Sequence, residues 1–351
     1  MAAKQKAESS AYQKLKQDIS AGTLGCLYVL YGEEAYLRDY YLGRMRQLLV
    51  GEGMAEFNLH TINGTDFTVQ GLEQTVDCLP MMSDRTMVLV SDLDFSQLGE
   101  SDRERLAGLL CQLPDYCCVI FLFDVVGYKL DARSKLALAL KQHGQIVEFA
   151  RQGQGDLVDW VHRRFRALGK HIGSELASYL IFQCGDLMNT LIGEIEKVSA
   201  YARGEHITRQ DIDAVVTPQL DAISFHMTDA IGAGDFDKAA RVLGELLEMR
   251  EEPVKIAAAL GGQMRKLYSA RLLLDSHGTA GDLAQMWQMK NPYPAQKLMN
   301  SARRFSPEWC RKAVIACAGA DLALKSDTAR TEREVLTELL LELSAPVKKS
   351  G

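Results

Sequence analysis

The sequence lacks the features that mark membrane-spanning, disulfide-stabilised and metal-binding proteins. No apolar run approaches the roughly 18 to 20 residues that a membrane span needs, and residues 1–10 are polar, without the apolar stretch of a signal peptide. The eight cysteines include no Cys-x-x-Cys pair, and the seven histidines include no His-x-x-x-His pair. We therefore expect free and mostly buried thiols in a reducing cytoplasm, and no metal site.

Length and charge set the scale of the protein and argue against one class of binding. A chain of 351 residues is long enough for two or three domains with cores of their own. Its hydrophobic content of 47% and charged content of 25% are ordinary for a globular protein. The net charge of −6 argues against bulk non-specific binding to nucleic acid, which favours a basic surface. The net charge does not exclude a small basic face on one domain.

A phosphate-binding loop is missing from the place where its surroundings predict one. Residues 26–31 have the pattern of a short buried strand, Gly32 follows, and residues 34–49 carry apolar side chains at helical spacing. A strand, a glycine and a helix form the geometry of a P-loop. Yet the loop has no second glycine and no Lys-Ser/Thr pair, and Glu33 and Glu34 would repel phosphates. The sequence therefore predicts that nucleotide binding has been lost.

Two pairs of acidic residues allow a chemical interpretation beside a structural one. Glu33 and Glu34 could form a general acid/base pair, but adjacent helical residues diverge by about 100°, so we interpret them as favourable charges at a helix N-terminus. Asp92 and Asp94 could form an acidic pair for Mg²⁺. Without a phosphate loop there is little for a metal to bridge, and we interpret them as a solvated turn after a strand.

The first part of the chain alternates strands and helices. Predicted strands occupy 27–31, 56–62, 85–90, 117–123 and 145–149, and predicted helices occupy 37–50, 67–78, 101–113 and 133–142. Short apolar strands separated by helices indicate a mainly parallel sheet covered on both faces. Residues 88–90 and 119–123 are apolar without alternation, which predicts that their strands are central.

From residue 156 onward the pattern predicts helices only. Predicted helices at 156–168, 173–184, 186–203 and 211–216 form a compact set, and Thr208 and Asp211 have the spacing of a helix cap. Pro218 suggests a boundary, and residues 224–344 are again helical in pattern. We predict three domains: an α/β domain at 1–149, a small helical domain at 150–217 and a larger helical domain at 218–351.

Six motifs in order give the chain a resemblance to a known family. They are the opening LYVLYGEEAYL at 27–37 and NLHTINGTDF at 58–67, then LPMMSDR at 79–85, KLDARSK at 129–135, GDLMNTLIGEIEK at 185–197 and ADLALKS at 320–326. Together they resemble the delta subunit family of the bacterial DNA polymerase III clamp loader, over nearly the whole chain.

The resemblance implies a fold, a function and a set of partners. The implied architecture is a RecA-like AAA+ domain, a three-helix lid, and a helical collar that joins subunits into a hetero-pentamer. The implied function is to open the sliding clamp during DNA replication as part of a DNA-directed DNA polymerase holoenzyme. The subunit would need no cofactor or catalysis of its own, because partner subunits hydrolyse ATP. Its partners would be the clamp, the loader ATPase subunits, a delta-prime-like subunit and primer-template DNA.

Two other functions remain open at this point. The chain could be an active AAA+ ATPase with an unconventional phosphate loop, although the absent Gly-Lys-Ser/Thr speaks against this. It could also be a helical adaptor whose α/β domain is only a scaffold, in which case it would bind neither a clamp nor a loader ATPase. Clamp binding and ATP binding by the purified chain distinguish the three.

The resemblance also selects site residues. Leu79, Met81 and Met82 follow the predicted helix that ends at residue 78, and the family's clamp-inserting apolar pair falls here. By themselves these side chains could equally cap the core of the α/β domain. One departure is Met82, since the family often has an aromatic residue in this element. Lys325, Arg330 and Arg333 are candidate DNA-contacting residues, because they could line one helix face and the implied fold brings DNA near the collar.

Overall fold

The chain divides into two compact units, Met1–Arg151 and Gln152–Gly351. A computed structural model describes residues 2–51, 53–289, 291–326 and 329–344. Each unit is built around its own type of secondary structure. All five strands of the described residues lie in the first unit, and the second is helical apart from a single isolated bridge between His171 and His206.

The first unit contains one five-stranded sheet. Its strands are β1 (Leu27–Tyr31), β2 (Leu59–Asn63), β3 (Thr86–Ser91), β4 (Cys117–Leu122) and β5 (Gln145–Glu148). They lie in the order β2-β3-β4-β1-β5, and every neighbouring pair is parallel. The predicted parallel sheet is confirmed. β4 occupies the middle of the sheet with β3 beside it, as the continuous apolar runs of both strands predict.

Helices cover both faces of this sheet. They are α1 (Ala2–Ala21), α2 (Ala35–Val50), α3 (Ala55–Asn58), α4 (Val69–Val76), α5 (Glu100–Leu110) and α6 (Lys135–His143). Side chains of a strand alternate between its two faces. One face, which includes Val29, Val119 and Phe121, forms a core with residues of α4, α5 and α6. On the other side of the unit, α1 packs against β5, and α2 packs against α1 and β3.

The sequence pattern missed helix α1, which covers the edge of the sheet. Tyr12 contacts the Tyr41 and Phe149 rings edge-on, and the Asp18 carboxylate accepts a 2.6 Å hydrogen bond from the Gln145 amide of β5. Leu15 and Ile19 are buried. A helix over an edge strand blocks pairing with another chain, so α1 completes the unit even though its sequence is mostly polar.

Two of the predicted boundaries that differ from the structure lie near the candidate binding residues. The segment predicted as a strand from residue 56 begins as the four-residue helix α3, and β2 starts only at Leu59. The helix predicted to end at residue 78 ends at Val76, where Asp77 caps it. Pro80 therefore lies in an irregular loop between α4 and β3 and does not end the helix itself.

The second unit contains eleven helices among the described residues. They are α7 (Gln154–Ala167), α8 (Ser174–Cys184), α9 (Met188–Tyr201), α10 (Arg209–Val215), α11 (Leu220–Ala233), α12 (Phe236–Glu248), α13 (Pro253–Asp275), α14 (Ala280–Met286), α15 (Pro292–Ala302), α16 (Pro307–Ser326) and α17 (Glu332–Leu343). The predicted cap at Thr208 is confirmed: it forms a reciprocal capping box with Asp211 at the start of α10.

The long helix α13 is the centre of the later helices. It packs against α11, α14, α15, α16 and α17. Its buried residues Ile256, Leu260, Met264 and Leu267 recur every three or four positions, which places them on one helical face. A methyl group added at Gly261 would contact the Cβ of Cys317 at 3.4 Å, so α13 and α16 approach closely.

Membrane and metal features are absent from the described part of the chain. None of the helices there has both the length and the apolar content that crossing a bilayer requires. Likewise, no cluster of three or more His, Cys, Asp or Glu side chains in those residues could hold a metal ion. All eight cysteines are free, and five of them are buried. Burial raises the pKa of the Cys310 and Cys317 thiols to about 12, so these two are inert thiols of the helical core.

Candidate functional site

The first unit carries two candidate functional surfaces, which lie at opposite ends of the parallel sheet. The degenerate phosphate loop follows β1 at the carboxyl ends of the strands. The candidate clamp-binding residues precede β3 at the amino ends. In a sheet of this type, nucleotides bind outside the carboxyl ends of the strands. The loop after β1, and not the candidate clamp-binding residues, therefore lies where a nucleotide would bind.

The packing of the backbone requires a glycine at position 32. Its φ of +128° lies in a region that residues with a side chain rarely adopt. A Cβ atom at this position would lie 2.4 Å from the carbonyl oxygen of Phe149. The same carbonyl accepts a 2.9 Å hydrogen bond from the N–H of Glu34. The backbone after β5 therefore lies directly against the loop.

Glu33 and Glu34 do not form a catalytic pair. Glu34 is 1% exposed and is the residue before the first turn of α2, where its side chain makes no capping hydrogen bond. Glu33 is largely exposed, and its carboxylate accepts a 2.5 Å hydrogen bond from Arg151 in an ion pair. Because one carboxylate points inward and the other toward solvent, they do not face a common substrate.

A buried arginine occupies the carboxyl end of the sheet close to this loop. Arg38, in the first turns of α2, donates a 3.1 Å hydrogen bond to the carbonyl of Phe123 and forms an ion pair with Asp124. Both partners directly follow β4. A nucleotide phosphate would compete with Asp124 for this guanidinium. The arginine thus connects α2 to the sheet.

Asp92 and Asp94 hold turns, in agreement with the structural interpretation of the sequence. The Asp92 carboxylate accepts hydrogen bonds of 2.8 to 3.0 Å from the backbone N–H groups of Asp124, Val125 and Val126. Partial burial raises the pKa of Asp92, but these three N–H groups outweigh it and hold the pKa below its usual value. Asp94 accepts from Ser96 and Gln97. Both carboxylates are thus engaged by hydrogen bonds from neighbouring residues.

The apolar tip, which we define as Leu79, Met81 and Met82, is exposed at the amino ends of the strands. The three side chains are 71%, 56% and 88% exposed, respectively. None belongs to the buried core of the unit, so the alternative in which they cap that core does not hold. Large apolar side chains that are grouped and exposed are typical of a surface that binds another protein.

Two polar side chains, one buried and one partly buried, anchor the chain on either side of the tip. Asn58, fully buried at the end of α3, accepts a 2.7 Å hydrogen bond from Met81 N–H and donates one of 2.8 Å to Met81 C=O. On the other side, the Arg85 guanidinium donates to the carbonyls of Leu24 and Gly25 just before β1. The tip is thus fixed at its base although its side chains project from the surface.

Met82 adopts an uncommon backbone conformation. Its φ is +53°, in the left-handed region that costs a residue with a side chain about 1–2 kcal/mol. Ser83 follows, and its hydroxyl lies 3.3 Å from the Arg85 carbonyl. Strain of this kind persists only where surrounding contacts impose it. Asn58 and Arg85 supply such contacts, and sequence reasoning identified neither of them as a functional residue.

The candidate DNA-contacting residues lie in the second unit. Lys325 lies in the last turn of α16 and forms a 2.8 Å ion pair with Asp321. Arg330 precedes α17 and forms a 2.5 Å ion pair with Glu338. Arg333 is exposed in the first turn of α17. The sequence suggested that the three cations could line the face of one helix. The structure instead places Lys325 in α16, Arg330 between the two helices and Arg333 in α17.

Comparison with known proteins gives consistent matches over most of the chain. A family model described as the DNA polymerase III delta subunit matches residues 28–150, and a model of its C-terminal domain matches residues 221–342. DNA polymerase III subunit delta of Bacillus subtilis is 26% identical over 334 residues, which are 93% of this chain and 94% of that protein. The Aquifex aeolicus protein named probable DNA polymerase III subunit delta is 22% identical and covers 90% of this chain and 91% of its own length.

A solved structure supports the fold. The Bacillus subtilis DNA clamp loader delta protein superposes with a TM-score of 0.53 at 23% identity, over 94% of this chain and 98% of that chain. The order of the parallel strands and the helices on both faces of the sheet define a RecA-like α/β domain in the first unit. The two family models describe two parts of one subunit and together match more than half of the chain. The chain belongs to the DNA polymerase III delta subunit family.

Proposed function

We propose that this chain is the subunit of a bacterial clamp loader that binds the sliding clamp and opens it. The observation that carries the proposal is the apolar tip. Its side chains are exposed, while hydrogen bonds from the buried Asn58 side chain fix its backbone. Methionine side chains are flexible and polarizable, and they fill irregular apolar pockets well. The tip of this chain would enter such a pocket on the clamp.

Opening follows from binding without any chemical step by this chain. A ring-shaped clamp exchanges between closed and open forms, and a partner that binds the open form more tightly shifts the population toward it. Leu79, Met81 and Met82 would supply the affinity, while the rigid sheet behind them would keep the clamp protomer in a shape that cannot close. ATP hydrolysis belongs in this scheme to the partner ATPase subunits, which would expose or cover the tip.

The helical part of the chain supports assembly in the same proposal. Residues 150–217 would form the lid, and residues 218–351 the collar that joins this chain to the ATPase subunits and a delta-prime-like subunit in a hetero-pentamer. Lys325, Arg330 and Arg333 would contact primer-template DNA in that assembly. Exposed ion pairs contribute roughly 0–1 kcal/mol, so phosphates can displace Asp321 and Glu338 from the two paired cations at little cost.

The test is a titration of the full chain against the sliding clamp of the same organism. Replacing both Met81 and Met82 with alanine should weaken binding by about a hundredfold or more, because burying each methionine contributes roughly 1.5–3 kcal/mol. Calorimetric or fluorescence titration measures this change. Thermal unfolding should be almost unaltered, since both side chains are exposed.

A matched control comes from the other end of the same sheet. Val125 is 87% exposed and contributes only its backbone N–H to the bond with Asp92. Val125→Ala therefore removes an exposed apolar side chain from the same unit, and clamp affinity should not change. If the double methionine variant binds the clamp as tightly as the original chain, the assignment of the tip is wrong.

A further inference from the structure

Asn58 makes a two-way contact with the backbone of the apolar tip. Its side-chain oxygen accepts from Met81 N–H at 2.7 Å, and its side-chain nitrogen donates to Met81 C=O at 2.8 Å and to Met54 C=O at 3.2 Å. The side chain is fully buried at the junction of α3 and β2. Met81 thereby has both backbone groups satisfied by one side chain 23 residues earlier in the sequence.

Few other contacts order this part of the loop. Regular structure ends at Val76 and resumes at Thr86. Between them, the Ser83 hydroxyl lies 3.5 Å from the Leu49 carbonyl, at the limit of a hydrogen bond, and Arg85 is anchored four residues after Met81. Met82 stands between these anchors in the left-handed region. The direction in which its side chain projects therefore depends on how Met81 is held.

We infer that Asn58 is a positioning residue that pre-orders the tip for the clamp, an inference that rests on the proposed function. Asn58 itself is buried and does not touch the partner. Its effect is on the free chain: when the backbone of the tip is already fixed, less conformational entropy is lost on binding. The affinity of the tip thus depends on a residue outside the surface that binds.

The chemistry of the amide explains why asparagine suits this position. The side chain offers an acceptor and two donors on a short stem, and the tip needs one of each at Met81. Leucine or alanine would leave the Met81 N–H and C=O without these partners. Aspartate would accept from the N–H but, when ionised, could donate to neither carbonyl, and it would bring a charge into a buried site.

The decisive experiment is a double-mutant cycle in the full chain. Asn58→Ala should weaken clamp binding about tenfold, the effect of releasing one or two ordered residues. In the background of Met81→Ala and Met82→Ala, Asn58→Ala should cause no further loss, because the side chains that it positions are gone. Hydrogen exchange at the Met81 amide should become faster in Asn58→Ala, which reports the release directly.

A destabilised control separates positioning from general damage. Val29→Ala weakens the same sheet from its interior, at a residue of β1 that is 1% exposed and lies outside the loop that carries the tip. It should lower the unfolding temperature without changing clamp affinity. If Asn58→Ala does not fold, Asn58→Ser, which retains a polar group but is too short to reach both Met81 atoms, gives the same comparison.

The outcomes of this inference and of the proposed function are distinct. Unchanged clamp affinity in a folded Asn58 variant, alongside loss in the methionine variant, overturns the positioning role only. An additive loss in the double-mutant cycle also overturns it, since Asn58 would then act independently of the tip. Unchanged affinity in the methionine variant overturns the assignment of the tip instead.

Discussion

A glycine that serves phosphate binding in a P-loop serves backbone packing in this chain. In a phosphate loop, glycine allows the backbone to approach the ligand. Here Gly32 allows the approach of Phe149, whose carbonyl oxygen would lie only 2.4 Å from a Cβ atom at position 32. The residue therefore has a structural reason to remain even without nucleotide.

This role makes a direct prediction for stability. Gly32→Ala should lower the free energy of unfolding by about 2 kcal/mol or more, because the added methyl overlaps a backbone carbonyl and φ is +128°. Chemical denaturation measures the change. Gly43→Ala is the control: Gly43 is exposed on helix α2 with open space around it, and alanine there should stabilise by about 0.5–1 kcal/mol. Equal stability of Gly32→Ala and the original chain would contradict the packing role.

At the residue scale, the sequence identified the apolar tip as a candidate site but not the residue that holds its backbone in place. The tip was predicted as a candidate site because its apolar residues precede polar ones in the motif at 79–85, which resembles one of the delta subunit family. Asn58 also opens one of the family motifs, but nothing in that motif connects it to the tip, since an asparagine before a strand is common in turns. Its role depends on Met81, which only the folded chain brings within 3 Å.

At the scale of elements, burial decided which segments could be predicted. Strands β3 and β4 were placed within one residue at each end because their continuous apolar runs lie inside a sheet covered on both faces. Helix α1 was missed because its surface is polar, although Tyr12, Leu15 and Ile19 are spaced along one helical face. Helix α3 has only four residues, too few for any periodicity to be visible.

Helix caps were predictable because their signal is local. The Thr208 side chain accepts from Asp211 N–H, and Asp211 accepts from Thr208 N–H at 2.8 Å. Thr208→Ala should lower the free energy of unfolding by about 1 kcal/mol, measured by chemical denaturation monitored by helix content. Thr337→Ala, in the exposed middle of α17, should change it by less than about 0.5 kcal/mol. Equal effects of the two variants would mean that the cap contributes nothing.

At the scale of the whole molecule, the two surfaces of the first unit predict opposite responses to two ligands. A ligand that binds only the folded state raises the unfolding temperature. The clamp should do so, whereas ATP with Mg²⁺ should leave it unchanged, because Gly32 packs on Phe149 and Arg38 is engaged by Asp124. Thermal scans of the full chain with each ligand measure both responses. Stabilisation by ATP would restore the hypothesis of an active ATPase with an unconventional loop.

The parallel direction of all five strands has a consequence for how such a protein can change over time. Every strand begins at the end that carries the tip and finishes at the end that carries the degenerate loop. A five-residue strand spans about 16 Å, so the sheet works as a stiff spacer between the two. Substitutions that abolish nucleotide binding at one end would therefore leave the proposed clamp-binding end undisturbed. An ATPase domain built in this way can lose nucleotide binding and persist as a binding domain without further substitutions at its other end.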